Sequence, residues 1–436
     1  MGQAASIVCA AKVGLFCQPR TPLKFDRHSP CYIGLKNNVS TTEMEMQTQR
    51  WRPGTEEFVS HNVLADYIHS AAESNDVLSS IRFSTRVNRV SKVDTSWEVE
   101  STKISKNGPA MGVQRLKERF DAVIVAVGHY HAPHVPDIPG LSTWKAAFPE
   151  RIKHSKSYRD PSKFAGKNVL LVGAGVSSTD IAKELNGVAK SIYQVSRGGQ
   201  YDLPTSMLPK KVTRIGAIKS FDGLSNAKPA PTGTHPVLPG TITLCSGDRL
   251  CDIHEVVLCT GYHVSLPFLR NLHADGVEAV NADDTVLVTD GQVTHNLHKD
   301  IFYISDPSLA FVGVPYHTAT FSLFEFQAIA VAAVFSGQAR LPGMADMRVE
   351  YRKRLARKGS GRSFHSLKGV GEEIAYVDDL AAWINGDSDV DGDGGGEKMD
   401  GHSSEWLAAY ERRLKRLQAI EQSSSYSKRA AIVSCV

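Results

Sequence analysis

The sequence lacks several features that would assign it to a specialised class of protein. No uninterrupted apolar run reaches the roughly 18 to 20 residues that span a bilayer, and the longest candidate, residues 329–335, is short enough for a core helix. None of the seven cysteines forms a C-x-x-C pair, so neither a dithiol redox centre nor a disulfide framework is expected. A formal net charge of only +4 over 436 residues favours neither nucleic acid nor a membrane surface as a partner.

What is present is the composition of an ordinary folded protein, long enough for about two or three domains. The odd number of cysteines fits a reducing compartment. Residues 1–6 match the sparse pattern of N-myristoylation, and residues 7–16 weakly resemble a signal-peptide core without a basic leader. Because chance matches to both patterns are common, we expect a cytoplasmic protein, with peripheral membrane association as the alternative.

The most informative stretch, residues 167–185, reads as a strand, a glycine-rich turn and a helix. Residues 169–172 are apolar and mostly branched, which is typical of a buried parallel strand. Gly173 allows a sharp turn, and Gly175 lets the backbone approach a pyrophosphate at the positive end of the following helix. Ser178 replaces the third glycine of the usual pattern but still allows close packing. The stretch predicts an α/β fold with a dinucleotide-binding βαβ unit.

The tip of the next strand, residues 189–196, indicates which nucleotide fits. NAD-binding units usually carry Asp or Glu there, roughly 20 residues after the glycines, to hold the ribose 2′-hydroxyl. This chain has Ser196 and Arg197 instead. Because a guanidinium suits a 2′-phosphate, we predict NADPH as the nucleotide.

The rest of the chain alternates between apolar strands and amphipathic helices. The periodicity predicts helices over 61–73, 323–335, 347–358 and 404–420, and strands over 81–90, 96–101, 120–128, 255–262 and 309–313. Residues 129–166, with five prolines, are expected to form an extended linker. A partial calcium-loop pattern begins at Asp387, but its twelfth position is Lys398 instead of Glu, so we expect an acidic linker and no metal site.

A second signature lies just ahead of the glycine turn. Phe148, His154 and Tyr158 have the spacing F-x-G-x-x-x-H-x-x-x-(Y/F), with Glu150 where the pattern has glycine. This stretch resembles the fingerprint of flavin-containing monooxygenases, the class B flavoprotein monooxygenases. The related fingerprint of Baeyer–Villiger oxygenases ends in Trp, so Tyr158 favours N- or S-oxygenation over that alternative.

Other stretches resemble the same family over roughly residues 25–345. Strand endings at Val127-Gly128 and Thr260-Gly261 are similar to its interdomain A-T-G segments, and a C-terminal stretch with Gly313 and Gln327 is similar to its flavin-contacting segment. Residues 29–38 resemble its S-P-x-Y-x-x-L-x-x-N run. The final Asn lies near the reactive flavin in the family, and this implies the same role for Asn38.

The resemblance implies a two-dinucleotide-binding-domain flavoprotein architecture, Rossmann-like and three-layered. We predict four segments: an incomplete FAD-binding domain and linker at 1–165, an NADPH-binding domain at 166–265, a return to the FAD domain at 266–345, and C-terminal helices at 346–436 with a disordered Gly/Asp-rich loop at 385–403. The family begins with its own G-x-G-x-x-G unit for FAD, and no such pattern precedes Asn38. We therefore expect the first FAD-domain βαβ unit to be missing.

The family's chemistry gives the functional hypothesis. NADPH, held by Gly173, Gly175, Ser178, Ser196 and Arg197, would reduce FAD. The reduced flavin would then form a hydroperoxide with O₂ and oxygenate a small molecule with a soft nitrogen or sulfur nucleophile, as in N,N-dimethylaniline monooxygenases. The alternative from another class is a flavin-free, NADP-binding pseudoenzyme or truncated gene product, which the missing FAD pattern would explain. Oligomeric state has no sequence signal.

Overall fold

The computed structural model describes residues 7–11, 29–105, 112–224, 236–388 and 398–433. The chain divides into two compact units. The first unit comprises residues 1–16, 37–132 and 263–410, and the second comprises residues 17–36, 133–262 and 411–436. The chain therefore leaves the first unit, completes most of the second, and returns.

The described strands are β1 (Ile7–Ala11), β2 (Thr85–Val93), β3 (Ser96–Ser105), β4 (Gly112–Phe120), β5 (Ala122–Ala126), β6 (Ala132–Pro133), β7 (Ile152–His154), β8 (Asn168–Val172), β9 (Ser191–Val195), β10 (Val212–Ile215), β11 (Ile218–Asp222), β12 (Thr241–Leu244), β13 (Arg249–Leu250), β14 (Glu255–Leu258), β15 (Tyr262–His263), β16 (Leu297–His298), β17 (Phe302–Tyr303) and β18 (Leu309–Phe311). The described α-helices are α1 (Thr41–Met44), α2 (His61–Ser74), α3 (Leu141–Ala147), α4 (Val176–Leu185), α5 (Thr320–Ser336), α6 (Met344–Lys358), α7 (Glu372–Ser388) and α8 (Ser404–Val433).

The second unit is built on a parallel sheet of strand order β10-β9-β8-β14-β7. Strand β8 is buried on both faces, as its continuous apolar run predicts. Val169 and Leu171 pack with residues of α4 such as Ile181. Leu170 and Val172 belong to the opposite core with Trp144. The predicted strand–turn–helix order is confirmed, with the glycine turn at the carboxyl end of the central strand.

The first unit contains a five-stranded sheet of order β1-β5-β18-β17-β16, in which β1, β5 and β18 are parallel and the last two strands antiparallel. An antiparallel meander, β2-β3-β4, packs Trp97 and Val99 against Val123 and Val125 of β5. On the other side, helices α5 and α7 form a second apolar core with residues of β17 and β18. Both units are thus α/β and Rossmann-like, as predicted.

Strand β1 is a finding that the sequence did not predict. The stretch before residue 30 showed no strand pattern, yet residues 7–11 pair in parallel with β5 at the edge of the sheet. A five-residue apolar run has no periodicity that separates a strand from a helix, and its main-chain bonds to β5 decide the outcome. Residues 1–6 and 12–28 lie outside the described part of the chain, so the missing βαβ unit stays a prediction.

Two further expectations were wrong in part. The predicted linker at 129–166 contains helix α3 and strand β7, and β7 joins the parallel sheet beside β14. Its prolines lie between these elements, so the proline count indicated a linker where short elements are present. In the predicted disordered loop at 385–403, the first four residues belong to α7, while residues 389–397 lie outside the described residues. None of the described helices is long and apolar enough to cross a membrane.

Candidate functional site

The two glycines of the turn after β8 differ in the space that the fold leaves around them. Gly173 has a φ of +114°, and a Cβ there would lie 2.4 Å from the carbonyl oxygen of Cys259. The fold itself therefore requires glycine at this position. At Gly175 the nearest heavy atom to such a Cβ, the carbonyl oxygen of Tyr201, is 3.9 Å away. The protein leaves this space open, and a side chain would fill it.

The helix end beside Gly175 is suited to an anion. Gly175 is the N-cap of α4, no side chain caps the helix, and its first turn has no acidic residue. Thr179, one turn further on, has a buried hydroxyl without a hydrogen-bond partner in the described residues. Free amides at a helix N-terminus bind phosphate groups, so the geometry fits a nucleotide pyrophosphate.

Ser178 lies where the usual pattern has its third glycine. Its side chain is fully buried between α4 and β9. The hydroxyl oxygen accepts a 2.8 Å hydrogen bond from the side-chain amide nitrogen, Nε2, of Gln194. Ser178 also hydrogen-bonds the sulfur of Cys259, which lowers the pKa of that thiol. Burial has the larger effect and raises the pKa of the Cys259 thiol to about 12. Cys259 therefore stays protonated and is no nucleophile at neutral pH.

Ser196 and Arg197 follow β9 at the same edge of the sheet. The Ser196 hydroxyl donates to the carboxylate of Asp202 at 2.6 Å and accepts from the amide of Gly198 at 3.1 Å. Arg197 is exposed and makes no hydrogen bond or ion pair with the described residues. Its guanidinium is available to a ligand, whereas Ser196 shapes the loop.

His154 of the fingerprint has a positioning role in the structure. One ring nitrogen, Nε2, lies 2.9 Å from the carbonyl oxygen of Gly261, and Nδ1 accepts from the amide of Lys156 at 3.1 Å. The Nε2–H tautomer satisfies both bonds. Burial is the main cause that lowers the pKa of His154 to about 4, so the ring is neutral at pH 7. The ring thus holds Gly261, while the Thr260 hydroxyl donates to the carbonyl of His134.

Tyr158 and Phe148 also serve the fold of the second unit. The Tyr158 hydroxyl donates to Glu184 of α4 at 2.6 Å, and Tyr32 donates to Asp180 one turn earlier at 3.3 Å. The two tyrosine rings meet edge to face, with centroids 5.5 Å apart. Phe148 ends α3 and packs at the margin of the core. Every fingerprint side chain is therefore occupied by contacts within its own unit.

Gly313 and Gln327 meet in the first unit. The buried amide oxygen of Gln327 accepts from the backbone N–H of Gly313 at 2.8 Å, and its nitrogen donates to Tyr376 at 2.8 Å. Helix α5 begins just beyond, and the backbone amide of its N-cap residue, Ala319, donates to the buried carboxylate of Glu373 at 2.9 Å. The buried hydroxyl of Thr318 has no partner in the described residues, so it could serve the polar rim of a flavin.

Asn38 and its neighbour Asn37 differ in their contacts with the protein. Asn37 accepts from the amide of Val59 at 2.6 Å and donates to the carbonyls of Val39 and Glu57 at 2.7 and 2.9 Å. This fixes the loop ahead of α1. Asn38 is exposed, and its side chain makes no bond to the described residues. The Asn38 side chain is therefore available to a ligand. No sequence pattern singled out Asn37.

The structure brings the predicted residues together in two groups. Gly173, Gly175, Ser178, Ser196 and Arg197, with Thr260, Gly261 and the fingerprint, belong to the second unit, whereas Asn38, Gly313 and Gln327 belong to the first. The sequence missed Thr179, Asp202 and Thr318, because a single hydroxyl or carboxylate in a loop or helix carries no pattern of its own.

Comparison with known proteins identifies the family. The flavin-binding monooxygenase-like family matches residues 31–208 and 241–391, which is most of the chain. This chain belongs to that family. Flavin-containing monooxygenase ustF2 of Aspergillus flavus is 44% identical over 362 residues, covering 82% of this chain and 72% of that protein. Flavin-containing monooxygenase ustF1 of the same fungus is 38% identical over 385 residues, covering 88% and 78%.

A solved structure supports the fold of this flavin-binding monooxygenase-like chain. The S-allyl-L-cysteine S-oxygenase from Allium sativum matches with a TM-score of 0.67 at 23% identity, covering 93% of this chain and 85% of that one. Family membership confirms the predicted class: a flavoprotein monooxygenase, and thus an oxidoreductase that uses O₂ on a small molecule.

Proposed function

We propose that the protein is an NADPH- and FAD-dependent monooxygenase that transfers one oxygen atom of O₂ to a soft nitrogen or sulfur nucleophile. The observation that carries the proposal is the open glycine turn at the uncapped start of α4, together with the guanidinium of Arg197, which follows β9 and pairs with no described residue. A pyrophosphate at the turn and a 2′-phosphate at the guanidinium would use both.

Distinct residues would hold the two cofactors. The amides after Gly175, the Thr179 hydroxyl and Arg197 would bind NADPH, and Gly173 would shape the turn beneath it. In the first unit, the start of α5 with Thr318 would face the flavin. When bound, FAD would carry electrons from NADPH to O₂ and activate it, so that one oxygen atom of O₂ goes to the substrate and the other leaves as water.

Side chains of this protein would position the cofactors and the substrate, and none of them would act as a conventional acid or nucleophile. Asn38 would donate or accept a hydrogen bond near the reactive end of the flavin. The neutral ring of His154 is already committed to Gly261 and Lys156, so we assign it no proton transfer.

Two observations bear on the atom that is oxygenated. Tyr158, where Baeyer–Villiger oxygenases have Trp, favours a nitrogen or sulfur atom over a ketone. The matched Allium sativum protein is named an S-oxygenase, which supports sulfur as the first substrate to test.

The direct experiment measures cofactor and product together. The purified full chain, incubated with FAD and desalted, is expected to retain the visible absorbance of a flavin. It should then convert a thioether to its sulfoxide, or dimethylaniline to its N-oxide, in the presence of NADPH. A protein that binds NADPH but takes up no flavin would contradict the oxygenase proposal and favour the flavin-free pseudoenzyme instead.

A further inference from the structure

A ring of hydrogen bonds surrounds the glycine turn, and an arginine outside the predicted site connects its parts. Arg214 lies on β10 directly opposite Gln194 of β9. Its Nε and Nη2 atoms donate to the side-chain oxygen of Gln194 at 3.0 and 2.6 Å. Gln194 in turn donates to Ser178 of α4 at 2.8 Å. Both Gln194 and Ser178 are fully buried, so each needs these partners.

The third nitrogen of Arg214 reaches the loop that carries Arg197. Its Nη1 atom donates to the carbonyl of Leu203 at 2.7 Å. The amide of Leu203 donates to the carbonyl of Ala174, between the two glycines of the turn, at 2.8 Å. The two hydrogen-bonding groups of Leu203 therefore join Arg214 to the glycine turn.

The loop between Ser196 and Leu203 is also folded on itself. The carboxylate of Asp202 accepts from the Ser196 hydroxyl at 2.6 Å and from the amide of Gly199 at 3.2 Å. Asp202 lies close enough to Arg214 for an attractive electrostatic interaction. Asp202 thus ties Ser196, the neighbour of Arg197, to the end of the loop at Leu203, so the anchor at Leu203 also constrains the position of Arg197.

We propose that Arg214 is a specificity-determining positioning residue, which fixes the distance between the glycine turn and Arg197 so that NADPH is bound in preference to NADH. This inference rests on the proposed NADPH site. NADPH would need the turn and Arg197 at the correct separation, because it carries a phosphate for each. NADH lacks the 2′-phosphate and would need the turn alone.

The test compares the dissociation constants of NADPH and NADH for the full chain and three variants, by fluorescence titration. Arg214→Met removes all three donors, and Arg214→Lys keeps the charge without the planar fork. Arg249→Met is the matched control, because Arg249 is an exposed arginine of the same unit with one bond to Thr241. Thermal midpoints are recorded for each, and Arg214→Lys serves alone should Arg214→Met fail to fold.

We expect both Arg214 variants to bind NADPH about tenfold more weakly with little change for NADH, while Arg249→Met behaves as the wild type. A wild-type protein without preference for NADPH would contradict the proposed function itself. A wild type with the preference, and Arg214 variants that retain it, would overturn the positioning role. Retention by Arg214→Lys alone would also overturn it, since charge and not the fork would then matter.

Discussion

At the scale of single residues, the candidate site separates into side chains that the fold uses and side chains left open. Gly173 and His154 are committed to contacts with the backbone around residues 259–261, whereas Gly175, Arg197 and Asn38 contact little of the described protein. The sequence pattern predicted all of them as one kind of site residue. It could not separate the two kinds, because the deciding neighbours are distant in sequence.

Arg197→Ala tests the nucleotide preference directly. We expect the free energy of NADPH binding to weaken by about 1.5–3 kcal/mol, the contribution of a hydrogen bond to a charged group. The free energy of NADH binding should change little. Titration of both nucleotides measures this, with Arg249→Ala as the control for loss of an exposed arginine. Equal losses for NADPH and NADH would show that Arg197 does not contact the 2′-phosphate.

The two glycines of the turn provide a matched pair. Gly173→Ala should lower the free energy of unfolding by about 1–3 kcal/mol, because the left-handed backbone and the carbonyl of Cys259 both oppose a Cβ. Gly175→Ala, in open space, should leave stability within about 0.5 kcal/mol of the wild type and weaken NADPH binding. Thermal unfolding and NADPH titration check the pair. A destabilised Gly175→Ala with normal NADPH affinity would contradict this division.

His154 gives a prediction about pH. Burial lowers the pKa of His154 to about 4, below the ordinary value of 6.5, so the unfolded chain binds the proton more readily. Stability from this group is complete above about pH 6.5 and falls as the pH decreases toward 4. Between pH 7 and 5 the loss is about 2 kcal/mol.

Denaturant unfolding of the wild type and His154→Gln at pH 7 and 5 isolates this contribution from those of other histidines. The variant should be less stable than the wild type at pH 7 but lose less stability on acidification. The same pH dependence in both proteins would show that His154 does not titrate as described.

At the scale of elements, helix α4 connects three parts of the sequence that are far apart. Its N-terminus faces the open turn, its buried side packs on β8, and its carboxylates accept from Tyr32 and Tyr158. The apolar pattern was enough to predict β8 and β9 to within two residues at each end, and a helix that ends at residue 185, as α4 does. Pairing of Tyr158 with Glu184 could not be predicted, since a tyrosine in a loop has no pattern that names its acceptor.

The Tyr158–Glu184 bond can be measured by a double-mutant cycle. Tyr158→Phe and Glu184→Gln should each lower the free energy of unfolding by about 1–2 kcal/mol, because a charged acceptor strengthens the bond. The double variant should lose less than the sum of the two. Strict additivity in denaturant unfolding would mean that the two side chains do not interact.

At the scale of the whole molecule, the chain builds two α/β units by inserting one between segments of the other. The glycine turn predicted one nucleotide-binding unit, and the family resemblance implied the second. The boundaries were less predictable. Strand β7, inside the predicted linker, takes its place in the sheet by pairing with β14, about 100 residues later. Strand β1 likewise pairs with β5, which is distant from it in the sequence.

The proposed oxygenation requires electron transfer from NADPH to a flavin bound by this chain. The most direct measurement mixes the FAD-loaded chain with NADPH in the absence of oxygen and follows the visible flavin absorbance in a stopped-flow spectrometer. We expect the absorbance to fall rapidly with NADPH and much more slowly with NADH. A flavin absorbance unchanged by saturating NADPH would contradict it.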